Sequence, residues 1–493
     1  MNTVDLLIVG GGINGIGVAR DAAGRGLSVM VAEKDDLASH TSSWSSKLIH
    51  GGLRYLEQYE FRLVAESLAE REVLLGIAWH LVSPMRFVMP HVAELRPRWM
   101  IRAGLFLYDH LGRRTKLPGS HGISLAEPPY SSGLKASLRN GFIYSDCRVD
   151  DARLVIANAL DAKRLGATIL TRTMCTSAVR KEGVWVAQLR GSEGTREVSA
   201  RAIVNAAGPW VKEVLNDHLH QPSRDNVRLV KGSHIVVPRL YEGEHAFILQ
   251  NDDKRVVFMI PYEGRYTLVG TTDVTVDGDP GHPQASDEEV AYLCRAVNRY
   301  LQRPLTPKDV VWRYAGIRPL YDDGTNNPSA VTRDYTLRVD DAQGAAAVLS
   351  VFGGKITTYR CLAEHVLDKL SPYFPGMKPA WTAGRALPGS ELGTTPEAAY
   401  ASLGAHYVGV PAEALSGIFR RHGMRAGQVI GDAKSEADLG EHFGAGLYAR
   451  EVAYLVEHEW AKTAEDVLWR RTKAGLHLST AQQDRVAAWL AAR

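Results

Sequence analysis

The chain opens on a wholly apolar run, Leu6-Leu7-Ile8-Val9, that stops at Gly10-Gly11-Gly12. Apolar residues without polar alternation predict a parallel strand buried on both faces. Beyond the glycines, Ile16, Val18, Ala19, Ala22 and Ala23 keep one face small and apolar, which predicts a helix closed by Gly24-Arg25-Gly26. Leu27-Ser28-Val29-Met30-Val31-Ala32 is a second expected strand, with Glu33 at its end. A helical run is expected over residues 59–76. Pro84, Pro90 and Pro97 exclude a continuous helix over 84–98. A further helix is expected over 152–165. The run from Ala202 to Ala207 reads as a strand that ends in a turn at Gly208-Pro209.

Between residues 227 and 273 the pattern changes to alternation, as in His234-Ile235-Val236-Val237 and Tyr266-Thr267-Leu268-Val269. This predicts an antiparallel sheet lying over the first domain. Leu349-Ser350-Val351-Phe352-Gly353-Gly354-Lys355 returns to strand and glycine turn, with a helix expected over 357–370. Pro372, Pro375 and Pro379 then break the chain. From residue 384 the pattern is mostly helical, including runs at 448–460 and 464–471. The expected organisation is an α/β fold in two parts. Residues 1–383 form a Rossmann-like dinucleotide domain interleaved with an antiparallel-sheet substrate domain (roughly 77–145 and 222–320). Residues 384–493 form a C-terminal helical domain.

The glycines match GxGxxG at Gly10, Gly12 and Gly15. The first allows a tight turn, the second lets backbone N–H groups approach a pyrophosphate, and the third lets helix and strand pack closely. The helix N-terminus favours the phosphates. Glu33 is placed to accept hydrogen bonds from a ribose. Strand, turn, helix, second strand and terminal acid occur in order, but the motif alone does not separate FAD from NAD. The segment from Thr41 to Leu56, dense in hydroxyls and glycines, favours FAD, because a nicotinamide enzyme needs no such loop. Its plainer reading is a polar surface loop.

Charge and composition narrow the picture. Fifty-eight basic residues against 55 acidic ones give +3 over 493 residues, too balanced for a nucleic-acid binder. Cys147, Cys175, Cys294 and Cys361 form no CxxC pair, which argues against a disulfide scaffold and a cysteine metal site and suits a reducing compartment. No metal is expected. The N-terminus lacks signal-peptide features, and no run of about 18 apolar residues predicts a membrane span.

The chain resembles the aerobic, membrane-associated, FAD-dependent glycerol-3-phosphate dehydrogenase family, bacterial type. The resemblance rests on Gly10-Gly11-Gly12-Ile13-Asn14-Gly15, Thr41-Ser42-Ser43, the run from Ser45 to Leu56, Tyr144-Ser145-Asp146-Cys147 and Asn205-Ala206-Ala207-Gly208-Pro209-Trp210. It continues through Lys231-Gly232-Ser233-His234, Gly270-Thr271-Thr272-Asp273, Gly316-Ile317-Arg318-Pro319-Leu320, Thr332-Arg333-Asp334-Tyr335 and the run from Phe352 to Arg360. Trp44 and Ala207 depart from the family's usual residues. The resemblance implies oxidation of glycerol 3-phosphate to dihydroxyacetone phosphate by hydride transfer to FAD, with electrons passed to ubiquinone or a related quinone. It places Arg54, Tyr55, Arg318, Arg333 and Lys355 around the substrate. FAD falls to Gly10, Gly12, Asn14, Gly15, Glu33, Thr41, Ser42, Ser45, Ser46, Lys47, Leu48, His50, Gly208, Gly354 and Thr357.

His234 is the first candidate for the base that takes the hydroxyl proton; its plainer reading is a hydrogen-bonded histidine at the start of a strand. Arg318 and Lys355 would polarise the developing alkoxide. The plainer reading of any one of these cations is a solvated surface charge. The implied location is cytoplasmic, peripheral on the inner face of the cell membrane. A homodimer is admitted, and nothing in the sequence fixes the oligomeric state. Residues 85–116, with seven basic residues among tryptophan, phenylalanine, methionine and leucine, are the candidate membrane face. The alternative is a buried helix at 100–111 with its arginines on the solvated side. An oxidase, a NAD-dependent dehydrogenase and a non-catalytic flavin sensor are the competing functions. The hydroxyl-rich loop argues against the second and the cations against the third.

Overall fold

The computed structural model describes residues 3–92, 97–112, 116–253, 255–322, 334–341, 344–391 and 393–493. The opening unit is strand Thr3–Val9, helix Ile13–Gly24 and strand Val29–Ala32. Leu6, Leu7 and Ile8 are fully enclosed, as an apolar strand in the middle of a sheet must be. Side by side, the parallel strands are Val348–Phe352, Gly194–Asn205, Thr3–Val9, Val29–Ala32 and Thr168–Leu170. Thr336–Asp340 adds an antiparallel edge to this sheet.

The first helix lies close on its strand because two glycines permit it. Gly10 has φ +114°, a region that L side chains rarely adopt. A Cβ on Gly15 would sit 2.1 Å from the Gly10 carbonyl oxygen, so any side chain there pushes helix and strand apart. The helix turns Ile16, Val18, Ala19 and Ala22 into the core.

A second sheet of ten described strands stands against the first. Its longest ladder pairs Val227–Pro238 with Trp312–Tyr321 antiparallel, from Val227↔Tyr321 to Val236↔Trp312. Tyr266–Gly270, Val256–Tyr262 and Ala246–Gln250 follow as an antiparallel meander. The expected alternation is present there. One pairing differs from the expectation of a purely antiparallel sheet: Ala246–Gln250 meets Val82–Pro90 in parallel. These edges come from distant parts of the chain, so no hairpin dictates their relative direction. Leu48–Ile49 joins the same sheet by pairing with Arg148 and Cys147. The hydroxyl-rich loop therefore runs from the first sheet into the second.

The four cysteines are free, and Cys147, Cys175 and Cys294 are buried packing residues. The C-terminal part has its own apolar core, with Leu415, Ile418, Val452, Leu455 and Val467 at its centre. Helices Pro396–His406, Ala412–His422, Ala449–His458 and Thr480–Ala491 surround it. The expected helix at 464–471 is wound as a π-helix over Asp466–Arg471. A short strand pair, His442–Gly444 with Leu447–Tyr448, was not legible in the helical pattern.

Buried ion pairs fasten this domain to the first. Asp36 accepts from Arg470 Nε and Arg471 Nη1, both at 2.7 Å. Arg153 meets Glu459, and Arg172 meets Asp466 at 2.7 Å. Within the C-terminal domain Glu451 accepts from Arg421 Nη2 at 2.6 Å and bonds His422 Nε2 at 2.9 Å. Burial alone would raise the Glu451 pKa, but Arg421 and His422 outweigh it and hold the carboxyl at about 2.

Two outcomes are expected. Asp36→Ala leaves Arg471 buried without a carboxylate, while Arg470 keeps Asp466 and Glu465, and should cost about 3–5 kcal/mol in denaturant unfolding. Glu451 has a depressed pKa, so its contribution is complete above its ordinary value of 4.5 and is lost as the pH falls toward about 2. Near-UV dichroism followed against pH should show this acid limb, and Glu451→Gln should flatten it.

Candidate active site

A cavity of about 380 Å³ lies between the two sheets and takes walls from both. One end is the glycine turn. Gly10, Gly12, Ile13 and Asn14 line it, and the N-terminus of the first helix faces it with no acidic residue in the first turn. Ser42 Oγ accepts from the Ile13 N–H at 2.9 Å, which fixes the start of the helix. Glu33 stands beside the turn, its carboxylate accepting from the Gly11 N–H at 2.6 Å and the Asp35 N–H at 2.7 Å. Burial raises its pKa, and the two N–H bonds oppose that shift. Asn14 Nδ2 donates to the Gly353 carbonyl, while its Oδ1 is buried with no partner among the described residues. A helix N-terminus, a close backbone turn and an unsatisfied acceptor fit a pyrophosphate-linked dinucleotide.

The middle of the cavity is the loop that crosses between the sheets. Thr41, Ser42, Ser45, Ser46, Leu48 and His50 line it, together with Gly208, Gly354 and Thr357. Thr41 Oγ1 donates to the Ile317 carbonyl at 2.6 Å, and Ser45 Oγ donates to Asp151 at 2.7 Å. His50 is half-buried in the cavity wall. Burial first, and then Lys355 and Arg71, depress its pKa to about 4, so its imidazole is neutral.

Lys47 is the expected cofactor contact that the structure does not bring to the cavity. Its φ of +59° turns the side chain away, and Nζ is bonded to Asp151 at 2.7 Å and to the Ser43 carbonyl. Gly15 likewise acts from behind, in the helix–strand contact. Arg333 lies outside the described residues.

The far end is cationic. Arg54, Tyr55, Arg318 and Lys355 meet there, from three separate segments. Lys355 Nζ stands 3.9 Å from the centre of the Tyr55 ring, a cation–π contact. Arg318 Nη1 donates to Asp273 at 2.6 Å and Nη2 to the Thr272 carbonyl at 2.7 Å. Asp273 is also 3.9 Å from Arg54. This carboxylate among the cations was quoted in the sequence motif Gly270-Thr271-Thr272-Asp273 but given no role. Nothing in the spacing of that motif marks an acid that cations will surround.

His234 lines the cavity between the loop and this cationic end. Its Nε2 is bonded to Ser46 Oγ at 2.8 Å, and its ring stacks on Tyr314 with centroids 4.8 Å apart. Burial, then Lys47 and Arg318, push its pKa well below the ordinary histidine range. The ring is therefore a neutral imidazole near pH 7. Phe258 and Ile248 also face the cavity from the second sheet. Strand alternation gave no sign of which apolar residues would do so.

A family model described as "FAD dependent oxidoreductase" matches residues 5–360, and one described as "C-terminal domain of alpha-glycerophosphate oxidase" matches residues 380–492. The chain is 56% identical over 487 residues to the glycerol-3-phosphate dehydrogenase of Pseudomonas aeruginosa (99% of this chain, 94% of the relative). It is 52% identical over 492 residues to the aerobic glycerol-3-phosphate dehydrogenase of Escherichia coli (99% and 98%). It is also 51% identical over 490 residues to the D-erythritol 1-phosphate dehydrogenase of Brucella abortus (99% and 97%). The solved glycerol-3-phosphate dehydrogenase of Bacillus halodurans complexed with FAD aligns over 100% of this chain and 94% of that one, with TM-score 0.74 and 26% identity. The dinucleotide cradle is accordingly an FAD site, and the chain belongs to the FAD-dependent glycerol-3-phosphate dehydrogenase family.

Proposed function

We propose that this protein oxidises sn-glycerol 3-phosphate to dihydroxyacetone phosphate and passes the electrons to a membrane quinone. The observation that carries the reading is the meeting of Arg54, Arg318 and Lys355 at one end of a cavity whose other end is the FAD cradle. A phosphate monoester carries roughly −1.5 to −2 near neutral pH. Guanidinium forks match its oxygens bidentately, and lysine adds a point charge.

FAD, when bound, supplies the two-electron acceptor for the hydride that leaves C2. The chain's own residues do the rest. Arg54 and Arg333 hold the phosphate. Arg318 and Lys355 face the C2 oxygen and stabilise negative charge as it develops there. Tyr55 orients the hydroxyl. His234 takes the hydroxyl proton, which its neutral ring supports. Loss of that proton and of the C2 hydride leaves the ketone.

A four-carbon polyol phosphate is the second reading, favoured by the relative named for D-erythritol 1-phosphate. Turnover of the two phosphates side by side decides between them.

The quinone reading requires a membrane face, and no described helix is long and apolar enough to cross a membrane. Helix Arg98–Leu111 supports surface docking at the inner face of the cell membrane. Its inner side buries Ile101, Leu105 and Tyr108. Its outer side exposes Trp99 by 71% and Phe106 by 53%, with Met100, Leu107, Arg98 and Arg102 beside them. A helix solvated on its outer side would not need four large apolar residues there. Tryptophan and arginine side by side suit an anionic lipid interface.

Three results are expected. In Arg54→Ala, loss of one charge-assisted contact, worth about 2–5 kcal/mol, should raise KM at least tenfold with flavin content unchanged. Arg318→Lys should also be poorly tolerated. An unaltered KM in both would refute the clamp. For His234→Gln, kcat should fall about 10²–10⁴-fold. In the wild type, the depressed His234 pKa places the acid limb of the rate well below pH 6.5. A limb at or above pH 6.5 would assign the base elsewhere. Finally, Trp99→Ser and Phe106→Ser combined with Arg98→Ala and Arg102→Ala should release the protein from anionic vesicles. Each basic residue contributes about 1 kcal/mol there. Reduction of an artificial dye should persist, and full vesicle binding would exclude this helix as the membrane face.

A further inference from the structure

His234 stands mostly behind the cavity wall, with only 3% of its surface exposed. One face of its ring lies on Tyr314. Its Cδ2 edge is packed on Gly270, where a Cβ would stand 2.0 Å from Cδ2. Nδ1 is buried with no hydrogen-bond partner among the described residues. Nε2 is bonded to Ser46 Oγ at 2.8 Å. Ser46 is half-buried and itself lines the cavity. A neutral imidazole carries one N–H and one lone pair on its two ring nitrogens. With the lone pair on Nδ1, it is shut away from any ligand. With the lone pair on Nε2, it already accepts from the Ser46 hydroxyl. In neither tautomer does a ring nitrogen offer a free lone pair to a molecule in the cavity. The polar group between the two is the Ser46 hydroxyl.

We propose that Ser46 is a catalytic residue, a proton relay that carries the C2 hydroxyl proton of the substrate to His234. The inference rests on the reading of His234 as the terminal base. The substrate O–H bond breaks as a new O–H bond forms on Ser46 Oγ, and the serine's own proton forms the N–H at Nε2. The electron pair of the broken O–H bond becomes the second bond of the ketone, and the C2 hydride leaves with its two electrons to FAD. Ser46 ends as it began, and His234 ends with a proton on each nitrogen. The burial and nearby cations that depress its pKa favour return of that proton to water through the same hydroxyl once the ketone departs. The step requires the tautomer with the lone pair on Nε2. Arg54, Arg318 and Lys355 favour it, because cations at the far end of the cavity attract the serine lone pairs and turn its hydrogen toward the ring. The serine is held in place from both sides. Ser45 Oγ and Lys47 Nζ are each bonded to Asp151 at 2.7 Å, and the Tyr314 hydroxyl donates to the Ser45 carbonyl at 2.7 Å.

The test follows flavin bleaching after anaerobic mixing of the FAD-loaded enzyme with saturating glycerol 3-phosphate, in the wild type, Ser46→Ala, His234→Gln and the double variant. Ser46→Ala is expected to slow bleaching at least tenfold with flavin content unchanged, and a smaller loss overturns the relay. Losses from groups that act as a unit do not multiply. The double variant is therefore expected within about fivefold of His234→Gln. A larger further loss means that the two residues act separately, and it overturns the relay as well. A second readout needs no turnover. In protein carrying isotope-labelled histidine, nitrogen NMR identifies the His234 signals by their absence from His234→Gln. They are expected to report a bare Nε2 and a protonated Nδ1, and the reverse tautomer overturns the proposal. Should Ser46→Ala lose its flavin, Ser46→Gly takes its place under the same limits, and the tautomer is read in the wild type regardless. Wild-type bleaching in His234→Gln defeats the base reading and the relay with it. Slow bleaching there, with a wild-type rate in Ser46→Ala, defeats the relay alone.

Discussion

Asp151 accepts a hydrogen bond from Lys47 Nζ at 2.7 Å in a place where neither side chain is more than 5% exposed. The same carboxylate oxygen accepts from Ser45 Oγ, and the other accepts from the Ala152 N–H. Asp151 opens the helix Asp151–Arg164, so the anchor belongs to the first domain. The loop it holds passes from the glycine turn into the second sheet. Ser42 caps the first helix, Thr41 reaches the Ile317 carbonyl, and Leu48–Ile49 pairs with the strand Asn140–Val149. Whether the FAD cradle and the cationic end open onto one cavity depends on where this loop lies.

A buried ion pair is a poor source of stability, because desolvation cancels much of its Coulombic gain. Removing one partner alone is costly, since the other is left charged and enclosed. What the pair fixes is arrangement. Lys47 is satisfied by Asp151 and the Ser43 carbonyl together, and that occurs with the loop in one placement. His234 depends on the result, because its Nε2 partner Ser46 belongs to the same loop. The depression of the His234 pKa by burial and by the nearby Lys47 charge follows from the same packing.

Much of the fold was legible because its signals are local. An apolar run, a glycine turn and a helix face each lie within a few residues, and the structure has them in place from Thr3 to Ala32. The assembly of Arg54, Tyr55, His234, Arg318 and Lys355 is not local, and only the family resemblance brought them together before the structure did. The direction of Lys47 was hidden for the same reason: its partner is 104 residues away. Asp273 was not legible as a site residue, because a lone acid in sequence gives no sign that Arg54 and Arg318 gather around it. The parallel contact between Ala246–Gln250 and Val82–Pro90 could not be read from alternation, which is blind to strand direction. The pairs of Asp36 with Arg470 and Arg471 join positions more than 400 residues apart and left no trace in pattern or spacing.

The grip of Arg470 and Arg471 on Asp36 reaches past architecture. Asp36 lies on the turn that leads out of Glu33, whose carboxylate borders the FAD cradle. The helical domain, none of whose described residues lines that cavity, thus braces the turn that follows Glu33. The two modules are joined beside the dinucleotide cradle and cannot be exchanged piecewise. A shorter chain ending before the helical domain would expose Asp36 and free the turn beside Glu33. A foreign C-terminal domain would have to reproduce two adjacent arginines at one buried carboxylate before this turn could be held as it is here.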